Sequence, residues 1–209
     1  MKKITIPLKT PDLAEFIGIV LGDGSLTDYQ VKIYFNARTD REYAAFVGDL
    51  AKKLFDLCST VSLRPKNTLE LVVSSTMLVD YLKKLGLQKG NKIAHTVGVP
   101  SWILEERDLV RACLRGLIDT DGGVYFHTHT TKGIRYRNMA LCFTSRSRPL
   151  LDAVHSMFQE MMISAKNDLR ERILVYNKRD IDLYMSSVGS HNAHVLERYR
   201  SYRGSKILA

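Results

Sequence analysis

The chain has 209 residues, with 31 Lys and Arg against 22 Asp and Glu, a formal net charge of +9 and an isoelectric point near 9.5. That is enough chain for one extended or two small cores, and the basic excess points to a polyanionic partner, nucleic acid before a membrane surface. No apolar run reaches the length of a spanning helix, MKKITIPLKT lacks the apolar core of a signal peptide, and Cys58, Cys113 and Cys142 show no C-x-x-C spacing. A membrane protein, a zinc-cysteine site and a disulfide framework are thereby set aside, and an intracellular chain with reduced thiols is expected.

The first helix opens at Thr10-Pro11-Asp12, which supplies an N-cap candidate, a proline at the first helical position and an acid at the positive end. Leu13, Phe16, Ile17, Val20 and Leu21 form its buried face. After Gly24 the apolar period changes to two: Val31, Ile33, Phe35 and Ala37 alternate with Gln30, Lys32, Tyr34, Asn36 and Arg38, as in a strand with one wet face. A helix is expected over 41–57, strands near 61–64 and 68–74 around a turn at 65–67, and a short helix ending at Leu85-Gly86, where glycine suits a left-handed cap. The stretch 87–109 is linker and lead-in, with Trp102 as a packing anchor.

The second half repeats the order: a hairpin over 123–144, a helix over 149–162, strands near 165–169 and 172–176, and a helix over 178–188. Phe143-Thr144-Ser145-Arg146 echoes Phe35-Asn36-Ala37-Arg38, and Tyr184 precedes Gly189 as Tyr81 precedes Gly86. The expected fold is α+β. Two pseudo-symmetric α-β-β-α-β-β-α repeats, each an antiparallel sheet covered by helices, occupy residues 1–90 and 105–209, with a linker at 91–104 and a central two-helix interface. The tail over 198–206 carries four basic residues and no acid, and reads equally as a DNA contact or a solvated helix end.

What joins the repeats is a motif. FIGIVLGDG at residues 16–24 returns as LRGLIDTDG at residues 114–122. Each copy has a mid-helix glycine (Gly18, Gly116), a second small residue (Gly22, Thr120) and a terminal Asp-Gly. Glycine costs a helix about 1 kcal/mol relative to alanine, so its recurrence implies two helices that touch at Gly18 and Gly116. Their ends then bring Asp23 and Asp121 together, two like charges at the negative ends of two helix dipoles. A hard divalent cation resolves that repulsion, and metal-assisted phosphodiester hydrolysis is the chemistry it serves.

These blocks resemble the LAGLIDADG homing endonucleases. The second copy is close to that consensus, whereas the first has Leu21 where the consensus acid is kept as Asp119. VPSWIL before the second copy and N-K-R-D-I at residues 177–181 share the likeness. The resemblance implies Mg²⁺ or Mn²⁺ as cofactor, with Ca²⁺ supporting binding without cleavage, and metal held by Asp23, Asp121 and the adjoining Gly22 and Thr120. It implies double-strand cleavage across the minor groove and basic or polar residues beside each acid. The matching positions are Asn36 and Arg38 in the first half and Ser145, Arg146 and Lys178 in the second, with Lys178 preferred because Ser75 stands at its first-half counterpart. A chain with both motifs is expected to act as a monomer on an asymmetric duplex in the homing of an intron or intein. Met1-Lys2 and Leu208-Ala209 carry no splice-junction residues, which favours an excised or intron-encoded enzyme over an intact intein. An RNA maturase and a non-catalytic DNA-binding regulator on the same fold remain alternatives. The retained acids, and the lack of a spare domain-sized segment, weigh more against the regulator.

The expected reading surface is the wet face of each sheet: Gln30, Lys32, Tyr34 and Asn36 in one half, Tyr136, Asn138, Ala140, Cys142, Thr144 and Arg146 in the other, with Arg135 and Arg137 in the same basic run. Forked and amide side chains on β-ribbons are what major-groove readout uses. His127, His129, His191 and His194 have no carboxylate or cysteine spacing that makes a metal site and read as surface residues.

Overall fold

The computed structural model describes residues 4–90, 97–168 and 170–202. The terminal residues Met1, Lys2, Leu208 and Ala209, the linker positions 91–96, Leu169 and the tail beyond Tyr202 lie outside the described residues.

The chain runs α1 (Pro11–Asp23), β1 (Gly24–Leu26), β2 (Gln30–Asn36), α2 (Arg41–Phe55), β3 (Thr60–Arg64), β4 (Thr68–Ser74) and α3 (Thr76–Lys84). A 3₁₀ turn at Ser101–Ile103 leads into α4 (Arg107–Asp121), β5 (Gly122–Thr131), β6 (Ile134–Thr144), α5 (Arg148–Glu160), β7 (Lys166–Asn167), β8 (Arg172–Val175), α6 (Lys178–Ser187) and α7 (Ala193–Arg200). The two sheets are antiparallel and identically ordered, β1-β2-β4-β3 and β5-β6-β8-β7. The α+β double repeat is thus the observed architecture, with α7 as an addition to the second repeat that the expected pattern lacks.

Local chemistry sets the element ends. The Thr10 hydroxyl accepts from the Leu13 N–H at 3.4 Å, with Pro11 at the first helical position, and Ser75 and Asn177 cap α3 and α6 in the same way. Each caps otherwise unsatisfied N–H groups and contributes about 1 kcal/mol. Gly86 and Gly189 end α3 and α6 at φ +108° and +73°. The β5–β6 hairpin turns at Lys132-Gly133, both at positive φ as a tight two-residue turn requires. Because β8 pairs with β6 only from Leu141 to Thr144, the outer part of this hairpin is a two-stranded ribbon.

Val31, Ile33, Phe35 and Ala37 are buried under helices as their alternation predicts, and Met139, Leu141 and Phe143 match them in the second sheet. One continuous core includes both motif helices. Trp102 anchors the lead-in, its indole N–H donating to the Leu85 carbonyl at 3.2 Å while the Lys9 ammonium lies 5.3 Å from the ring centre. The three cysteines are free, and no helix among the described residues is long and apolar enough to cross a membrane.

Candidate functional site

The motif helices α1 and α4 pack closely enough that glycine is obligatory at their crossing. A Cβ on Gly116 would stand 2.4 Å from the Glu15 carbonyl oxygen and 3.2 Å from the Gly18 carbonyl carbon. One on Gly18 would stand 2.3 Å from the Cys113 carbonyl oxygen. The expected Gly18–Gly116 contact is present and reciprocal: each glycine receives the backbone of the other helix, meeting the carbonyl three residues before the other glycine. At the helix ends a Cβ on Gly22 would fall 2.0 Å from Thr120 Oγ1 and 3.7 Å from the Asp121 nitrogen. Thr120 turns its hydroxyl back to the Gly116 carbonyl at 2.8 Å, which is how the larger residue fits against Gly22. The two helix ends are thereby brought together, with Asp23 and Asp121 as their half-buried last residues, and neither helix has a basic residue in its last turn.

Two clefts open beside Asp121, and Asp23 lines neither. One, of about 290 Å³, is lined by Leu21, Gly22, Val97, Asp121, Thr144, Ser145, Arg146 and Leu150. The other, of about 360 Å³, is polar, with Asn36, Asp40, Asp119, Asp121, Tyr125, His194 and Arg198 among its walls. Arg146 thus shares a cleft with Asp121, while its exposed guanidinium is 3.8 Å from Glu171. Arg38 is exposed and lines neither cleft; its backbone N–H donates to Asn36 Oδ1 at 2.9 Å. Lys178 is exposed, paired with Asp182 on its own helix, and lines neither cleft.

The difference between Leu21 and Asp119 has a structural cause. Where the chain passes the first motif helix it offers Leu87 and Val97 to Leu21. Where it passes the second it offers Ser190, His191 and Asn192. The Ser190 hydroxyl donates to Asp119 Oδ1 at 2.5 Å, and the His191 and Asn192 N–H groups donate to Oδ2 at 2.7 and 3.2 Å. The Asn192 amide also reaches the Asp119 carbonyl at 3.2 Å and Asp40 Oδ1 at 3.3 Å, tying the second motif helix to the first repeat. Beside it, Glu15 is buried between Arg115 Nη2 and His191 Nδ1, each at 2.6 Å. His191 is exposed, as read from the sequence, while its ring pairs with Glu15, and His194, on α7, is half-buried and lines the larger cleft.

Burial pushes the Asp119 carboxyl up to about 7, against the hydrogen bonds from Ser190, His191 and Asn192 that pull it down. Burial also acts to raise Glu15, but His191 and Arg115 hold it below the usual carboxylate range. The sign for Asp119 follows from linkage. The unfolded carboxyl titrates near its ordinary value of about 3.9, so the native state retains the proton to higher pH. That stabilisation is complete below about pH 4 and is lost as pH rises through about 7. Urea unfolding between these limits is expected to show a midpoint that falls with pH in the wild type and changes less in Asp119→Asn; equal slopes would remove Asp119 as the source.

On the outer face of the first sheet, Gln30 donates to Ser74 at 3.1 Å, and Lys32 lies 3.5 Å from Glu70. Glu70, which pairs opposite Tyr34, is an acid on this face that the wet-face reading missed; it is buried, held also by Arg64, whose hydrogen bond draws its pKa down. The Asn36 side-chain oxygen also accepts from Asn67 at 2.8 Å. In the second sheet Tyr125, His127 and His129 share the outer face with Tyr136 and Asn138, and the His127–His129 and His129–Tyr136 ring centres are 6.0 and 5.4 Å apart. Ala140, expected outward, is fully buried; it sits opposite Tyr125, whose ring is large enough to cover a methyl group. Alternation puts Arg135 and Arg137 on the opposite face of the ribbon from Tyr136 and Asn138, with the Arg137 guanidinium 3.9 Å above Phe126. Thr144 is exposed and borders both clefts.

Comparison with known proteins agrees with this construction. The LAGLIDADG-like domain model matches residues 108–199. The chain is 34% identical over 123 residues to a component of the A-type ATP synthase of Pyrococcus abyssi, covering 58% of this chain and 12% of that protein. It is 33% identical over 118 residues to the small subunit of replication factor C from Methanocaldococcus jannaschii, covering 56% and 6%. The chain therefore spans only a small part of the length of the curated relatives it matches. Among solved structures, I-DmoI in complex with DNA and Ca superposes with a TM-score of 0.58 at 15% identity, covering 93% of this chain and 99% of that one. Full-length WhiA from Thermatoga maritima superposes with a TM-score of 0.57 at 11% identity, covering 94% and 61%. With two motif helices and two like-ordered sheets in one polypeptide, the chain has the fold of the LAGLIDADG homing endonuclease structures, and its second repeat carries a LAGLIDADG-like domain.

Proposed function

We propose that this chain is a divalent-metal-dependent endonuclease that cuts both strands of duplex DNA at an asymmetric site and acts as a monomer. The observation that carries the reading is the glycine-mediated approach of α1 and α4, two helices that end at Asp23 and Asp121. Fold alone does not decide for catalysis, since the likeness to WhiA is as good as that to I-DmoI; the two retained carboxylates support it. The donor set fits a hard cation: two carboxylates with the carbonyl groups of Gly22 and Thr120 beside them offer only oxygen, as Mg²⁺ and Mn²⁺ prefer. No cluster of three His, Cys, Asp or Glu side chains occurs among the described residues, so water and phosphate oxygens would complete the shell. Such an ion polarises a phosphate oxygen and lowers the pKa of a bound water. The chain's part is to hold the duplex in register. Side chains of the outer sheet faces and the β5–β6 ribbon reach base edges, while Arg and Lys exposed on those same faces neutralise phosphates.

Monomeric action follows from two motifs in one chain, and an asymmetric target from two chemically different sheets. The relatives are components of an ATP synthase and of a replication factor, and the likeness covers a small part of each. A segment shared by proteins so unlike in activity supports a mobile passenger, in keeping with intron or intein homing. Incubation with a randomised duplex library and Mg²⁺, followed by sequencing of the new ends, tests the reading. Paired cuts a few base pairs apart at one non-palindromic site, abolished by EDTA, are expected; binding with no new ends would favour the non-catalytic regulator. Replacing Asn138 is expected to relax base preference on one side of that site, by about 1–3 kcal/mol for a lost bidentate contact, whereas replacing a phosphate-binding Lys weakens all sequences alike. An unchanged cut-site profile for Asn138→Ala would remove that residue from recognition.

A further inference from the structure

The two clefts beside the helix pair are related by the repeat but differ in their source of positive charge. In the smaller one it is, among the described residues, Arg146, from the β6–α5 connection. Its first-repeat counterpart, Arg38, does not line the larger cleft. There the cation is Arg198, and it comes from α7, which has no equivalent among the described residues of the first repeat. His194 and Arg198 lie one turn apart on the same face of α7, and both line the cleft with Asn36 and Asp121.

Arg198 lies against an aromatic ring, with no acid partner among the described residues. Its guanidinium carbon lies 5.4 Å from the Phe126 ring centre, and Tyr202 stacks on Phe126 at 6.1 Å. Its Nε is buried and has no hydrogen-bond partner among the described residues. A buried donor left unmatched is costly, and a guanidinium presents its N–H groups in a planar fork that matches two oxygens of one phosphate. A guanidinium with no acid partner among the described residues, lining a cleft that also holds Asp121, is arranged to receive an oxyanion from outside the protein.

We propose that Arg198 binds the phosphate of one DNA strand at the larger cleft, so that α7 makes the two strand-cutting sites chemically unequal. The proposal rests on the endonuclease reading. Arg198 therefore acts on one strand and Arg146 on the other, and loss of Arg198 turns a double-strand cutter into a nicking protein.

The test is single-turnover cleavage of the selected duplex, end-labelled on each strand in turn, with Mg²⁺. For Arg198→Ala one strand is expected to slow by about 100-fold, the cost of removing one preorganised oxyanion donor, while the other stays within a few-fold of wild type. Arg198→Lys should recover part of the loss. A second readout needs no cleavage: the salt dependence of binding to a random-sequence duplex without metal should lose about one counterion for Arg198→Ala. Lys83→Ala, which removes an equal charge from α3, should leave both readouts unchanged. Thermal unfolding of each variant checks that α7 remains folded, and Arg198→Lys carries the test if the alanine variant does not. Equal slowing of both strands, slowing of neither, or an unaltered salt slope would overturn the proposal. If wild type cuts nothing, the endonuclease reading fails and the salt slope alone decides Arg198.

Discussion

Asp23→Asn and Asp121→Asn are each expected to lower double-strand cleavage by at least about 1000-fold, a barrier increase of about 4 kcal/mol, while leaving DNA binding near the wild-type level. Asparagine keeps the shape of the helix end and the approach of Gly22 to Thr120, so the sheets stay in register. What it removes is a negative oxygen donor. One carboxylate cannot hold and orient the cations for both strands, so either single change disables the pair. Nicking assays with gel shifts separate the two effects. Near-wild-type cutting of both strands by either variant would show that the paired carboxylates are not the reaction centre.

Gly116→Leu is expected to destroy cleavage through the fold. Even the first added carbon would stand 2.4 Å from the Glu15 carbonyl oxygen and 2.9 Å from the Ile19 nitrogen. These are backbone atoms inside a helix and cannot swing aside as a side-chain tip can. The helices must part, at a cost of about 1–3 kcal/mol or more for overpacking. The larger functional loss comes from displacing Asp121 relative to Asp23. Gly116→Ala should give a milder form of the same defect, readable as a lowered urea midpoint together with reduced cleavage. A Gly116→Leu protein with wild-type stability and activity would refute the close helix crossing.

Much of this architecture can be read from the sequence because each half is built on strong local signals. The alternation at residues 31–37 can bury only one face, and the strand forms as read. Thr10-Pro11 and Leu85-Gly86 mark helix ends through capping chemistry that needs no tertiary information. Helix α7 is less legible. Its eight residues follow the polar run Ser190-His191-Asn192, and its basic end reads as a tail. The available signal was Asn192 as an N-cap ahead of Val195, Tyr199 and Tyr202 at helical spacing. What made that signal count is invisible in one dimension: the loop before α7 folds over Asp119 and Asp40, which lie in different repeats. The same loop accounts for the asymmetry between Leu21 and Asp119, since each side chain matches what the passing chain offers it.

Site residues divide along the same line. The motif acids come from local pattern, whereas Arg198 and His194 reach the larger cleft only through the long return of the chain past α6. Lys178 illustrates the converse. Sequence register proposes it, but an acid one turn ahead on α6 takes its ammonium.

The central claim is that one chain supplies both carboxylates to one duplex. The most direct measurement is single-turnover cleavage at equimolar protein and target, with the mass of the complex read by analytical ultracentrifugation before Mg²⁺ is added. The account predicts one 23.8 kDa chain per duplex and both strands cut in that complex. An active species with two chains per duplex, or cleavage that appears only above a one-to-one ratio, would contradict it.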